Sequence, residues 1–250
     1  MIKVSAVSYL NTIPFIYGLK NSTIFNQIEL SLDYPSLCAD KLLKGQVDIG
    51  LVPVAVIPKL QHPHIISDYC IGANGAVDTV CLYSDVPISE IKSIALDYQS
   101  HTSVELLKIL LKEYWQLSPE LIKAEVGFED SIKGKHAALV IGDRAFALND
   151  KHPYIYDLSA IWKQMTGLPF VFAAWVANKK LPQDFIIDFN KALEKGLSDM
   201  QKALNFEGDN YPNCKNPEDY LNNKISYNLD AEKQKGMALF LEKLVFPTNN

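Results

Sequence analysis

The sequence predicts an α/β protein of two lobes with a cleft between them. Three observations carry this. Strand-like apolar runs alternate with helix-like segments through most of the chain, which favours a largely parallel sheet with helices on its faces. New α/β units begin after about residue 84. The chain then ends in helices with no sheet of their own, so these pack back on the first lobe. That places lobe 1 at residues 1–84 plus 176–250 and lobe 2 at 85–175. The crossings fall near 80–85 and 172–177, both extended stretches suited to hinges. Ligands of open α/β sheets bind beyond the carboxyl ends of the strands, which here means the cleft.

The elements follow in order. "IKVSAV" (2–7) is a short buried strand, and Pro14 sits well in the first turn of the helix that follows. In "PSLCADKLLKGQVDIGLVPVAVI" (35–57), Ser36 can cap a helix. Leu37, Leu42 and Leu43 give it an apolar face, Gly45 can end it, and "VDIGLVPV" is the next strand. Residues 68–85 have strand composition interrupted by Gly72 and Gly75. "IKSIALD" (91–97) is a strand, and residues 98–115 are a loop feeding a helix. There Thr102 and Glu105 have capping-box spacing, and Val104, Leu107, Leu111 and Trp115 share a face. "HAALVIGD" (136–143) is a strand ending at Gly-Asp. Residues 156–179 hold a short helix, a Gly-Leu-Pro turn and the apolar strand "FVFAAWVA". From Leu181 the chain is mostly helical, with a polar loop over 205–219.

Composition narrows the function. The 250 residues carry a net charge of −5, which argues against a nucleic-acid or acidic-membrane surface. Arg144 is the sole arginine among 24 basic residues. An anion site therefore relies on backbone N–H groups, hydroxyls, amides or lysine rather than an arginine clamp. Cys38, Cys70, Cys81 and Cys214 form no CxxC pair or zinc spacing and read as free thiols. His62 and His64 lack a third ligand nearby, so no metal is expected. "GANG" (72–75) lacks dinucleotide-loop spacing and reads as a turn. No run approaches the roughly 20 apolar residues of a membrane span, and the N-terminus has no signal-peptide pattern. The expected location is cytoplasmic.

The polar candidates gather at strand ends. In "QSHTS", Ser100, Thr102 and Ser103 lie at a helix N-terminus, where free N–H groups and the helix dipole favour a carboxylate. Capping is the alternative role, and the two are compatible. In "SYLNTIPF" (8–15), Ser8, Asn11 and Thr12 follow the first strand; composition alone favours a capping role for Asn11. Asp143 orients a neighbouring amide or hydroxyl, pairs with a lysine or Arg144, or meets substrate. Trp162, Phe170, Phe172 and Trp175 read as core and hinge packing.

"SYLNTIPF", "GQVDIGLVPVA", "GAVDTVCLYS", "LDYQSHTSVELL", "VIGDRA" and "DLSAIWKQMTGLPFVFAAW" occur in this order. Together they resemble the chorismate dehydratase family of menaquinone biosynthesis, which opens the futalosine route. The resemblance runs from the N-terminus to about Trp175. It implies a periplasmic-binding-protein fold of the second type. It also implies conversion of chorismate to 3-[(1-carboxyvinyl)oxy]benzoate without a cofactor, and a substrate contact for Asn11. Thr79 in "VDTV" stands where family members commonly have serine and keeps the hydroxyl. His101 stands where many have arginine. A solute-binding protein of the same fold and the related 1,4-dihydroxy-6-naphthoate synthase are the competing readings. Oligomeric state is not legible.

Overall fold

A computed structural model describes residues 1–207, 211 and 213–245. Residues 208–210 and 212, part of the expected polar loop, lie outside that range. The first lobe begins with β1 (Ile2–Val7), α1 (Ile13–Lys20), β2 (Ile28–Asp33), α2 (Pro35–Leu43), β3 (Ile49–Pro53) and β4 (His64–Ala73). The second contains β5 (Val80–Ser84), β6 (Ser93–Leu96), α3 (Thr102–Ile109), β7 (Glu120–Lys123), β8 (His136–Ile141), β9 (Tyr154–Asp157) and α4 (Leu158–Thr166). The chain then returns through β10 (Phe170–Ala177), α5 (Gln183–Ser198), α6 (Met200–Glu207), α7 (Pro217–Asp219), β11 (Ser226–Asn228) and α8 (Ala231–Val245).

Two sheets result, ordered β11-β4-β10-β3-β1-β2 and β7-β6-β8-β5-β9. Both are mixed rather than wholly parallel. In the first sheet β1 runs parallel to β2 and β3, while β10 runs antiparallel to β3 and β4. In the second, β6 is parallel to β7 and β8, while β5 is antiparallel to β8 and β9. The reversal has a simple cause. Each of β5 and β10 follows a passage between the sheets and enters at the cleft, where the neighbouring strands end. Val80 pairs with Ile141 at the end of β8, and Ala173 pairs with Pro53 at the end of β3.

This corrects the lobe boundaries expected at 84 and 176. Strand β5, assigned to lobe 1, belongs to the second sheet, and β10, assigned largely to lobe 2, belongs to the first. The chain passes between sheets over 74–79 and 167–169. A crossing segment pairs with the sheet that it enters, so its apolar run marks arrival rather than departure.

The core of the first lobe is aromatic. Trp175 of β10 meets Phe15 edge-on at 5.9 Å and Phe189 at 5.1 Å. A second cluster joins Trp162 to Phe170 at 5.3 Å and Phe170 to Phe240 at 5.1 Å, so α4, β10 and α8 lock together beside the crossing. Trp162, Phe170 and Trp175 thus take the packing role read from sequence. The four cysteines are buried free thiols. In α2 the buried face is Cys38, Ala39 and Leu42, while Leu43 is exposed. The turn after α2 ends at Gly45 with φ of +66°.

Helix α5 packs on α1 through two glycines. A Cβ on Gly196 would stand 1.7 Å from the Pro14 carbonyl oxygen, and one on Gly18 would stand 2.0 Å from that of Ala192. Only bare backbone fits on either side. Gly196→Ala is therefore expected to force the helices apart at a cost of about 2 kcal/mol. For a chain of this size that lowers the thermal midpoint by about 4–8 °C, measurable by differential scanning calorimetry.

Candidate active site

A cavity lies between the sheets, where β1, β3 and β8 end and β5 and β10 begin. This is the position expected for a ligand of such sheets. Its apolar wall includes Val7, Pro53, Ile71, Val77 and Phe172, and its polar lining is Tyr9, Asn11, Thr79, Ser100, Thr102 and Ser103. Among the described residues no lysine, arginine, histidine or carboxylate lines it.

Alternation along the chain decides which residues of "SYLNTIPF" reach the cavity. Val7 and Tyr9 line it, so Ser8 between them points away. Ser8 is exposed, and its N–H donates to the Asp33 carbonyl at 2.9 Å. Asn11 reaches the cavity. Thr12 is fully buried behind it, and the Thr12 hydroxyl donates to Asn11 Oδ1 at 3.1 Å. The Asn11 carbonyl accepts from the Tyr227 hydroxyl at 3.0 Å. The asparagine is therefore fixed from both ends and serves no helix cap, since α1 makes no side-chain cap bond.

The "QSHTS" loop is held by Asp97, which is buried. Its carboxylate accepts from the Ile141 and Gln99 N–H groups, each at 2.9 Å, and from Arg144 Nη2 at 2.6 and 2.8 Å. Arg144 also binds Glu129 and lies between the Tyr98 and Phe128 rings, 5.3 and 5.6 Å from their centroids. The sole arginine thus braces the loop. This overturns an Asp143–Arg144 pairing.

The expected capping box is not formed. His101 occupies the cap position of α3, and its carbonyl accepts the Glu105 N–H at 3.2 Å. The Ser100 hydroxyl accepts the Ser103 N–H at 3.0 Å instead. Thr102 is already helical, and its Oγ1 accepts the Ala55 N–H of the first lobe at 3.2 Å. The boundary shifts because Ser100, one residue ahead of the cap, reaches the free N–H first. Glu105 pairs with Lys108 at 2.8 Å. Ser36 does not cap α2 either; its hydroxyl donates to the Tyr98 carbonyl at 3.2 Å, across the cleft.

Several such bonds close the two lobes on each other. Ser36 N–H donates to the Gln99 carbonyl at 3.1 Å, and the Tyr9 hydroxyl donates to Gln99 Oε1. Leu10 N–H donates to both carboxylate oxygens of Asp143, at 3.1 and 3.2 Å. Asp143 thus sits behind the lining residue Gly142 and faces first-lobe backbone. Burial pushes its pKa up to about 7, with the Leu10 N–H pulling weakly the other way. His101 is half-buried outside the lining, and burial, then Lys59, lowers its pKa.

Among the sequence candidates, then, Asn11, Thr79, Ser100, Thr102 and Ser103 come together on the cavity wall. Ser8, Thr12 and Asp143 do not line it. Phe172 does, unlike its aromatic neighbours. Sequence reasoning missed Tyr9, which continues the alternation from Val7, and Tyr220. Thr79 is buried, and its Oγ1 lies 2.8 Å from the hydroxyl of Tyr220, 141 residues away. No local pattern signals that contact. Among the described residues no group of three His, Cys, Asp or Glu side chains is placed to hold a metal ion, and no helix is long and apolar enough to cross a membrane.

This architecture defines a two-lobed, periplasmic-binding-protein-like protein of the second type. A crystal structure of an Archaeoglobus fulgidus protein is similar with a TM-score of 0.76 at 14% identity, covering 98% of this chain and 97% of that one. A Parabacteroides distasonis structure described as an ABC transporter gives 0.67 at 20% identity, over 100% and 93%. The alkanesulfonate-binding protein SsuA of Xanthomonas axonopodis gives 0.63 at 13%, over 98% and 92%. At these identities the likeness establishes the fold alone.

Sequence goes further. The chain belongs to the menaquinone biosynthesis family, whose model matches residues 2–245. It is 30% identical over 229 residues to the chorismate dehydratase of Thermus thermophilus, covering 82% of this chain and 83% of that protein. It is 28% identical over 192 residues to the chorismate dehydratase of Campylobacter jejuni, covering 74% and 72%.

The Asp143 carboxyl makes a prediction about pH. Its pKa is about 7 in the fold and about 3.9 in an unfolded chain. The folded state binds the proton more tightly, so its contribution is complete below pH ~4 and is lost as pH rises through ~7. Asp143→Asn has no proton to lose. The thermal midpoint of the wild type, relative to this variant, is expected to fall between about pH 4 and 7 and to level off near pH 8. Parallel melting curves across that range check it.

Proposed function

We propose that the protein is a chorismate dehydratase, a hydro-lyase. It removes water from chorismate to give 3-[(1-carboxyvinyl)oxy]benzoate on the futalosine route to menaquinone. Family membership supports the pathway, and the names of the relatives support the substrate. The observation that carries the reading is the cavity itself, set between the lobes and lined by neutral hydrogen-bonding groups. A cytoplasmic location fits such a biosynthetic step.

Chorismate has two carboxylates, an enol ether and a hydroxyl on a cyclohexadiene. Loss of the C3 proton and the C4 hydroxyl makes the ring aromatic, so the driving force is within the substrate. What remains for the protein is to position the molecule, exclude water and stabilise the departing oxygen. Ser100 and Ser103 at the start of α3 offer hydroxyls to one carboxylate, at the end of the helix whose dipole favours an anion. Asn11 and Thr79, from opposite lobes, offer neutral donors to the leaving hydroxyl.

The proton at C3 needs an acceptor. Among the described residues the only titratable side chain in the lining is Tyr9, whose pKa burial raises far above neutrality. In this reading the enolpyruvyl carboxylate of the substrate takes the C3 proton. The C–H electron pair becomes ring π density, and the C4–O pair leaves with the hydroxyl, which takes up the equivalent of the proton removed from C3 and departs as water, restoring the carboxylate. Asp143 faces backbone rather than the cavity, so it acts in closure and not as the base.

Incubation of the pure protein with chorismate, followed by liquid chromatography, tests the activity; intact chorismate would reject the reading. Asn11→Ala is expected to fold normally and lose about 10²–10³-fold in kcat, the typical cost of one transition-state donor. His101→Ala is expected to stay within about threefold of wild type, because that imidazole lies outside the lining.

A further inference from the structure

The dehydratase reading leaves Tyr220 without a role. This residue comes from the C-terminal segment, in a π-helical stretch over Tyr220–Lys224, far in sequence from every motif. Only 3% of it is exposed. Its ring stands edge-on against Phe146, centroids 5.0 Å apart. Its hydroxyl lies 2.8 Å from Thr79 Oγ1. One phenol from the C-terminal segment therefore braces a hydroxyl of the cavity wall from behind.

We propose that Tyr220 is a positioning residue that donates to Thr79 Oγ1 and so orients the Thr79 hydroxyl to present its proton to the leaving oxygen of the substrate. This rests on the dehydratase reading and adds to it the group that orients one of its donors.

Donor counting gives the direction. The phenol has one proton to give, and its hydrogen-bond partner is Thr79 Oγ1 at 2.8 Å. With Tyr220 as the donor, Thr79 has its own proton to give onward. The protein acceptor within reach is the Val77 carbonyl, at a long 3.4 Å. A ligand oxygen in the cavity that Thr79 lines is the better acceptor. Each donor in such a chain polarises the next. Burial also keeps the Tyr220 hydroxyl protonated far above neutral pH, so the chain does not reverse across the working range.

The test compares wild type, Tyr220→Phe, Thr79→Val and the double variant in steady-state and single-turnover assays with chorismate. Circular dichroism serves as the check of fold. Phenylalanine keeps the edge contact with Phe146 and removes only the hydroxyl. Tyr220→Phe is expected to lower kcat about tenfold or more with KM within about threefold, the size of one lost hydrogen bond. In the Thr79→Val background, the same change is expected to cost less than about twofold, because Tyr220 acts through Thr79. A residue that merely supports packing would lower both backgrounds alike.

Wild-type turnover in Tyr220→Phe, or full additivity in the double variant, overturns the proposal while leaving the dehydratase reading intact. A wild-type protein that leaves chorismate untouched overturns both. If Tyr220→Phe does not fold, Thr79→Val decides alone. A tenfold loss of kcat with KM kept supports the chain, and an unchanged kcat overturns it.

Discussion

The buried carboxylate of Asp97 organises the cavity more than any group that faces it. It gathers the Ile141 and Gln99 N–H groups and two bonds from Arg144. A buried ion pair is stable only when geometry and extra hydrogen bonds offset its desolvation, and here both are supplied. Two consequences follow. The end of β8 is tied to the loop after β6, which sets the height of Gly142 against the first lobe. The same loop is fixed so that Ser100 and Ser103 face the cavity while Tyr98 and Gln99 turn their carbonyls to Ser36. The single arginine of the chain is used for this, away from the cavity.

The closure of the lobes rests on backbone and neutral groups of similar strength. Leu10, Ser36 and Ala55 supply first-lobe N–H donors, and Asp143, Gln99 and Thr102 supply second-lobe acceptors. Such bonds exchange readily with water, each worth about 1 kcal/mol net. Bonds of this kind at the cleft break one by one at little cost, which suits a protein that admits and releases a ligand. The aromatic cluster of Trp162, Phe170 and Phe240 meanwhile holds the lobes together beside the crossing. The fold itself is shared with transport proteins such as SsuA. What separates one function from another lies in the few side chains on the cavity wall.

Sequence revealed the strands and helices that have strong periodicity, and the family motifs located the cavity. β1, β3, β6, β8 and β10 all begin within a few residues of their apolar runs. Short edge strands were missed: β7 over Glu120–Lys123 is exposed throughout, and β11 has three residues. Neither buries enough on one face to leave a pattern. The lobe boundaries slipped because a hinge strand and a sheet strand have the same composition. Thr102 and Ser36 look like caps in sequence, yet their hydroxyls are spent across the cleft, a tertiary choice that no local spacing records. Ser8 was lost to simple alternation from Val7. Tyr220 was out of reach because its partner is 141 residues away.

The neutral lining has a consequence for selectivity among anions. A pocket built on arginine or lysine attracts any multivalent anion, and inorganic phosphate would crowd it at the concentrations found in cells. Here the wall carries amides and hydroxyls beside Val7, Ile71, Val77 and Phe172. A small hydrated ion gains little from leaving water for such a wall, since it has no apolar surface to bury. A carboxylated ring gains on both counts. A wall with no cation among the described residues thus works as a filter against the cell's most abundant small anions.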